Sequence, residues 1–365
     1  MAKKRIWCAV SGHGFGHFSQ VYPILNQLIQ DITDLEITVA GSIPQRLLDK
    51  YIEQPCIHVA QQQDVGLVQP DPLQVDLTAT ARQLRNLHNN WQQRVSKEMA
   101  AIKSFAADLV LADIPYLPIE AAFNLGIPSV AVASLSWDHV TAAYFDMTEK
   151  EPSSWRDQMV EAYAKTTLAL LPEPAIMGDT FPVYKTTPPL TTPATARKDS
   201  LREDLRLLKA DNRPLVLVSL GGFPSQTLPI QKLEMDSRFH WLLDYDVNKK
   251  HDHIHRVDLL PQWSFRNLSA SVDAIVSKPG YGMSIAATVD GVPYLYVRRG
   301  RFPDEKIIGD WIEKNNRAME IEKEDFYAGK WGEKLITLLQ MQPPKPTTVD
   351  GAKIAASYIK KLMNC

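Results

Sequence analysis

The chain has 365 residues, 45% of them hydrophobic and 22% charged, with a formal net charge of −2. That length predicts two domains with ordinary buried cores, and the near-neutral balance offers no field for nucleic acid or an anionic membrane surface. No run approaches the roughly 18 apolar residues of a spanning helix, no apolar leader precedes a small-residue cleavage site, and Cys8, Cys56 and Cys365 fit no zinc spacing. The expectation is therefore a cytoplasmic protein without bound metal or nucleic acid, with peripheral membrane contact left open.

A short basic start, Lys3-Lys4-Arg5, precedes an apolar strand at 6–10. The strand runs into Ser11-Gly12-His13-Gly14-Phe15-Gly16-His17 and then an amphipathic helix with Val21, Ile24, Leu25, Leu28 and Ile29 on one face. Strands at 35–40 and 56–59 flank a short helix at 43–51. Residues 61–76 carry two prolines and little periodicity, which predicts a long loop of the kind that serves function. Apolar residues from Leu84 to Phe105 recur every three or four positions, which predicts one long helix over 77–105. A strand at 108–112 ending at Asp113, a helix at 118–125, a strand at 129–133, the segment Ser134-Leu135-Ser136-Trp137-Asp138, a helix at 155–165 and a strand at 168–171 complete the first half.

Six prolines between Pro172 and Pro193 mark a linker, and a polar helix at 196–209 follows it. The second half repeats the alternation, with strands at 215–220, 239–243, 254–257, 274–277, 294–297 and 317–321, a helix at 283–289 stopped by Gly291, and a tail helix at 353–362. Apolar strands alternating with helices predict an α/β protein of two Rossmann-like parallel-sheet domains facing a cleft. The expected division is a first Rossmann-like domain at 1–185, a linker at 186–200, a second Rossmann-like domain at 201–345 and a C-terminal helix at 346–365 that packs back on the first domain.

Three glycine turns follow strands: Gly12 to Gly16, Gly221-Gly222, and Gly280 to Gly282. Such turns open helices whose N-termini attract phosphate. The first turn is neither a P-loop nor a Gly-x-Gly-x-x-Gly fingerprint. Lys278 stands beside the third turn as a point charge for phosphate, and Ser219 and Ser277 add hydroxyls. His251-Asp252-His253-Ile254-His255 reads as a solvated loop, and Arg298-Arg299-Gly300-Arg301 either as an anion site or as a surface cluster.

Ser277-Lys278-Pro279-Gly280-Tyr281-Gly282, with the helix and Gly291-Val292-Pro293 after it, resembles the donor-binding region of GT-B glycosyltransferases. It is most similar to the branch that contains the N-acetylglucosaminyltransferase of peptidoglycan synthesis. The opening turn ending at His17 resembles that group's first glycine-rich loop. The segments 134–138 and 64–71 are similar to glycosyltransferase-like domains fused to sugar kinases. The resemblance implies a nucleoside-diphosphate-sugar donor held by the second domain, an acceptor held by the first, and no bound cofactor. Gly221, Gly222, Gly280, Tyr281, Gly282, Met283 and Ser284 would lie along the donor diphosphate, with Asp304 and Glu305 at the sugar. Relatives often hold the ribose with a glutamate in this helix; the matching place here is near Ser284-Ile285, where Ile285 cannot accept a hydrogen bond.

Inverting transfer to a hydroxyl needs a base and a stabilised leaving group. His17 is the expected base, with Asp113 or Asp138 orienting it or replacing it, and His13, Gly12, Gly14, Gly16 and Trp137 are expected substrate contacts. The alternatives are a nucleotide-sugar-binding or regulatory protein on the same fold, or a non-hydrolysing nucleotide-sugar epimerase.

Overall fold

The computed structural model describes residues 3–13, 15–176, 180–221, 228–245, 251–347 and 349–364. The first half runs β1 (Lys4–Val10), α1 (Phe15–Asp31), β2 (Leu35–Ala40), α2 (Gln45–Tyr51), β3 (Ile57–Val59), α3 (Leu77–Asn89) and α4 (Trp91–Phe105). It continues through β4 (Leu109–Asp113), α5 (Leu117–Leu125), β5 (Ser129–Val132), α6 (Trp137–Tyr144), α7 (Lys150–Tyr163), β6 (Leu168–Pro172) and β7 (Tyr184–Thr187). After α8 (Lys198–Asp204) come β8 (Leu215–Val218), α9 (Ile230–Met235), β9 (His240–Leu243), β10 (Ile254–Arg256), α10 (Phe265–Ala270), β11 (Ala274–Ser277) and α11 (Tyr281–Asp290). The chain ends with β12 (Tyr294–Tyr296), α12 (Asp304–Asn315), β13 (Ala318–Glu320), α13 (Lys323–Tyr327), α14 (Gly332–Gln340) and α15 (Gly351–Leu362).

Among the described residues these strands form two sheets, ordered β3-β2-β1-β4-β5-β6-β7 and β10-β9-β8-β11-β12-β13. Every pairing is parallel. The strand order reverses direction between β1 and β4 in one sheet and between β8 and β11 in the other, which are the crevices where open sheets bind ligands. Alternation along each strand divides the core into layers. Ile6, Cys8 and Val10 join Leu215 and Leu217 in one apolar cluster that runs continuously across both halves. Trp7 and Ala9 face the outer layer of the first sheet, and Val216 and Val218 that of the second.

Each half also places one side chain in the other's outer core. Leu73, from the loop between β3 and α3, is buried among Val216, Val218 and Leu243. Phe302, from the loop between β12 and α12, is buried with Leu135, Trp137 and Val140. The two chain crossings touch as well: a Cβ on Gly351 would stand 2.3 Å from the Pro188 carbonyl, so only glycine fits at the start of α15. That helix lies on α1, where Lys360 pairs with Asp31 at 2.6 Å and Lys4 Nζ donates to the Met363 carbonyl at 2.6 Å.

The structure corrects several expectations. The helix predicted over 77–105 is two helices broken at Asn90, whose backbone (φ −108°, ψ 19°) leaves the helical region. Its apolar rhythm persists because both pieces face one core, with Leu84 and Leu87 beside Trp91 and Val95. The proline-rich stretch contains β7, an edge strand of the first sheet whose four residues include no proline. The histidines at 251–255 pack on the second sheet instead of forming a solvated loop. His253 is buried, His255 meets His240 at 3.0 Å, and His251 pairs with Glu234 at 2.9 Å. Among the described residues no helix is long and apolar enough to cross a membrane.

Candidate functional site

The turns after β1, β5, β8, β9 and β11 and the N-termini of α1 and α11 converge on one cavity of about 600 Å³. Backbone pairing registers the first half of it: Val10 lies beside Asp113, and Ser11 N–H donates to the Asp113 carbonyl at 2.8 Å. This brings the end of β4 under the first turn of α1. There His17 Nδ1 meets Asp113 Oδ1 at 2.7 Å, with His17 6% and Asp113 1% exposed. With Nδ1–H donated to the carboxylate, Nε2 is left as the basic atom of the ring. Burial pushes the imidazole's pKa down, but the Asp113 carboxylate outweighs this and leaves it above the ordinary value. Burial lifts the Asp113 carboxyl to about 6 even against the attraction of His17.

The long loop before α3 closes around this pair. Glu98 on α4 accepts from Trp7, Gln61 and Gln63, which fixes the loop's first residues to the sheet. Asp64 then accepts from Trp137 Nε1 at 2.6 Å, and the Trp137 ring lies 5.7 Å from His17 and 5.3 Å from His13. A Cβ on Gly66 would stand 2.5 Å from the His13 ring, so glycine lets the loop pack on that histidine. Burial, followed by the charges of His17, Lys278 and Arg299, holds His13 well below the ordinary imidazole range. It is thus a neutral ring in the wall, stacked 6.0 Å from Phe302.

The second half supplies charge. Lys278 is 9% exposed, and its side chain passes over Gly221, where an added Cβ would meet Cε at 3.3 Å. Gly221 also has φ +84°, which favours glycine. Burial, then Arg299, pushes the Lys278 pKa down to about 7. Asp304 is buried and lines the cavity, its Oδ1 without a hydrogen-bond partner. Burial raises its carboxyl to about 6 although Arg299 and His17 pull the other way.

α11 begins at Gly280 without a side-chain cap or an acidic residue in its first turn, so its leading N–H groups remain available to an anion. Tyr281 in that turn accepts from Leu190 N–H and donates to the Glu173 carbonyl, both at 3.0 Å, tying the helix to the first half. A Cβ on Gly282 would meet Ser19 Oγ at 2.4 Å, so the two helix starts abut.

Of the residues singled out in the sequence, His13, Gly16, His17, Ser219, Gly221, Lys278, Gly280, Tyr281, Gly282, Met283 and Asp304 line this cavity. Gly12, Asp113, Trp137 and Pro279 are not part of its lining, Asp113 reaching it only through His17, and Gly14 and Gly222 lie outside the described residues. Asp138 is turned elsewhere: it accepts from Thr180 at 3.0 Å and lies 3.6 Å from His139, so Asp113 alone orients His17. Glu305 is occupied by its own loop, accepting from the backbone N–H groups of Arg299 and Gly300 and from the Arg299 guanidinium. Ser284 and Ile285 face the core, and the α11 side chains in the cavity wall are Tyr281, Met283 and Ala286. A Cβ on Gly16 would meet nothing within 4 Å, so the protein's own packing does not require glycine there. The sequence reading missed Phe302 and Asp244 in the wall. An acidic residue straight after a strand was the available signal for Asp244. Among the described residues no group of three or more His, Cys, Asp or Glu is arranged to hold a metal.

No family model matches the chain. It is 25% identical to L-arabinokinase of Arabidopsis thaliana over 96% of its own length, and spans about a third (34%) of that protein. Among solved structures it resembles the glycotransferase of kitacinnamycin, with 14% identity, a TM-score of 0.65 and coverage of 100% and 96% of the two chains. It is similar to the calicheamicin glycosyltransferase CalG4 at 13% identity and a TM-score of 0.64, covering 100% and 99%. Arabidopsis thaliana UGT89C1 complexed with UDP matches at 13% identity and 0.64, covering 100% of both chains. The fold is GT-B, two parallel-sheet domains facing a cleft.

Proposed function

We propose that the protein transfers a hexosyl or N-acetylhexosaminyl group from a nucleoside diphosphate sugar to a hydroxyl acceptor by direct displacement. The observation that carries this is His17, backed by Asp113, on one wall of a cavity whose other wall holds Lys278, Asp304 and the uncapped start of α11. His17 Nε2 takes the acceptor hydroxyl's proton, and the oxygen attacks the anomeric carbon from the first domain's side. The bond from that carbon to phosphate oxygen breaks, and the electron pair leaves with the nucleoside diphosphate. Lys278 and the α11 N–H groups meet the charge that develops there, so no bound cofactor takes part. Asp113 holds the ring's tautomer and stabilises the imidazolium. Asp304, whose Oδ1 lies 3.8 Å from the Arg299 guanidinium but makes no hydrogen bond, accepts from hydroxyls of the donor sugar.

The match to about a third of L-arabinokinase supports the motif resemblance to domains fused to sugar kinases. Solved neighbours of the same fold complexed with UDP and with UDP-glucose support a nucleotide-sugar donor. A non-catalytic binder is the second candidate, favoured by Met283 and Ala286 on α11, neither of which can accept from a ribose hydroxyl.

The test pairs wild-type protein with His17→Ala on a panel of nucleoside diphosphate sugars and hydroxyl acceptors. Transfer by wild type and a loss of about 10²- to 10⁴-fold in the variant, with donor affinity retained, is the expected result. Full transfer by His17→Ala would overturn the base. Donor binding without any turnover would favour the binder.

A further inference from the structure

The cavity extends along the second sheet to an acidic residue that the chemistry above leaves unused. Asp244 directly follows β9, and it lines the cavity together with Ser219, Gly221 and Lys278. β9 pairs with β8, and β8 with β11, so the ends of these three strands lie side by side. From Asp244 to the Lys278 turn is two strand spacings, roughly 10 Å, which an extended ribose 5′-diphosphate spans.

The carboxylate is anchored but not consumed. Ser219 Oγ donates to Asp244 Oδ2 at 3.1 Å, and among the described residues that is the side chain's one hydrogen bond. A carboxylate offers about four acceptor positions, so capacity remains for two hydroxyl donors. Burial, with Asp258 nearby, holds the carboxyl above its ordinary value. Donors arriving from a ligand would relieve that cost.

The position has a general physical meaning. In open parallel sheets the turn after one strand takes the diphosphate, and an acidic residue ending the next strand, about 20 residues on, accepts from the ribose hydroxyls. Here the turn is at Gly221, the next strand is β9, and Asp244 ends it. α11 gives a ribose nothing comparable, because Met283 and Ala286 are what it turns to the cavity. We propose that Asp244 binds the ribose diol, and that the donor is therefore a ribonucleoside rather than a 2′-deoxyribonucleoside diphosphate sugar. This rests on the cleft being a nucleotide-sugar site.

Calorimetric titration of wild type, Asp244→Asn and Asp244→Ala tests it. The probes are UDP, GDP and ADP, their 2′-deoxy counterparts, and inorganic pyrophosphate. Wild type is expected to prefer the accepted ribonucleotide over its deoxy form by about 10- to 100-fold. Both variants should lose that preference while binding pyrophosphate as wild type does, and should also weaken on the deoxy form, whose 3′-hydroxyl still meets the carboxylate. Equal wild-type affinity for both forms overturns the assignment and leaves the nucleotide site standing. Parallel loss of pyrophosphate binding in the variants overturns it too, since Asp244 would then support the loop and not the ribose. Failure of wild type to bind any nucleoside diphosphate overturns the proposed function itself.

Discussion

Replacing Gly282 by alanine isolates the contact on which the two domains meet. The new methyl would stand 2.4 Å from Ser19 Oγ, 3.4 Å from Ser19 Cβ and 3.7 Å from Gly16 Cα. Only the hydroxyl is too close, by about 1 Å against an ordinary contact. It can turn away by giving up its 2.7 Å bond to the Gly16 carbonyl, at about 0.5–1.5 kcal/mol, or the helices can part at about 1–3 kcal/mol. Against this, alanine in a helix gains about 1 kcal/mol over glycine. Gly282→Ala alone should therefore be neutral or destabilising by up to about 2 kcal/mol. With Ser19→Ala the hydroxyl is gone and the remaining distances are ordinary, so the same change should stabilise by about 0.5–1 kcal/mol. Urea unfolding of the four proteins completes a double-mutant cycle whose coupling should reach at least about 0.5 kcal/mol. An equal effect of Gly282→Ala in both backgrounds would mean that α1 and α11 do not abut, and the shared cavity would lose its basis.

Two further outcomes follow from the charges around the cavity. His17 must be neutral to accept a proton, so turnover should rise with pH through an apparent pKa above 6.5, the ordinary imidazole value. In Asp113→Asn that limb should move to lower pH and the plateau should fall, because the partner that raises the imidazole and fixes its tautomer is gone; an unmoved limb would detach Asp113 from His17. Lys278 sits at about 7, so a diphosphate that restores its charge should take up roughly half a proton at pH 7 and more at pH 8. Titrations in buffers of different ionisation enthalpy measure this uptake, and Lys278→Met should abolish it. Sign follows from linkage: the folded state holds fewer protons here than the unfolded state between about pH 7 and 10.5, so without ligand this lysine makes stability rise with pH across that window. A persistent uptake in the variant would assign the proton elsewhere.

The strands were legible because sheets buried on both faces demand unbroken apolar runs, as at Leu215 to Val218 and Ala274 to Ser277. Short helices such as α10 and α13 were not, since a few residues carry too little period to separate helix from strand. Asn90 escaped notice because the apolar rhythm is set by the core and survives the break. At the site, strand ends converging on the cleft made Asp113 and Asp138 equal candidates to partner His17, and only packing, which gives Asp138 to Thr180, separates them. The roles of Asp304 and Glu305 did not separate in the sequence. Adjacent carboxylates at the start of a helix point in different directions, one to the cavity and one back to Arg299, and only packing decides which.

The exchange of Leu73 and Phe302 between the outer cores gives the cleft a resting position. Separating the domains draws both side chains out of apolar surroundings, and a fully buried side chain of this size is worth about 1.5–3 kcal/mol. If the two leave together, the open form lies roughly 3–6 kcal/mol above the closed one, a population below about one per cent. Ligand entry would then wait on a rare excursion, and the association rate, more than the affinity of the closed complex, would carry the mark of these two residues. Leu73→Ala should speed both capture and escape of a bound nucleotide, leaving their ratio less changed than either.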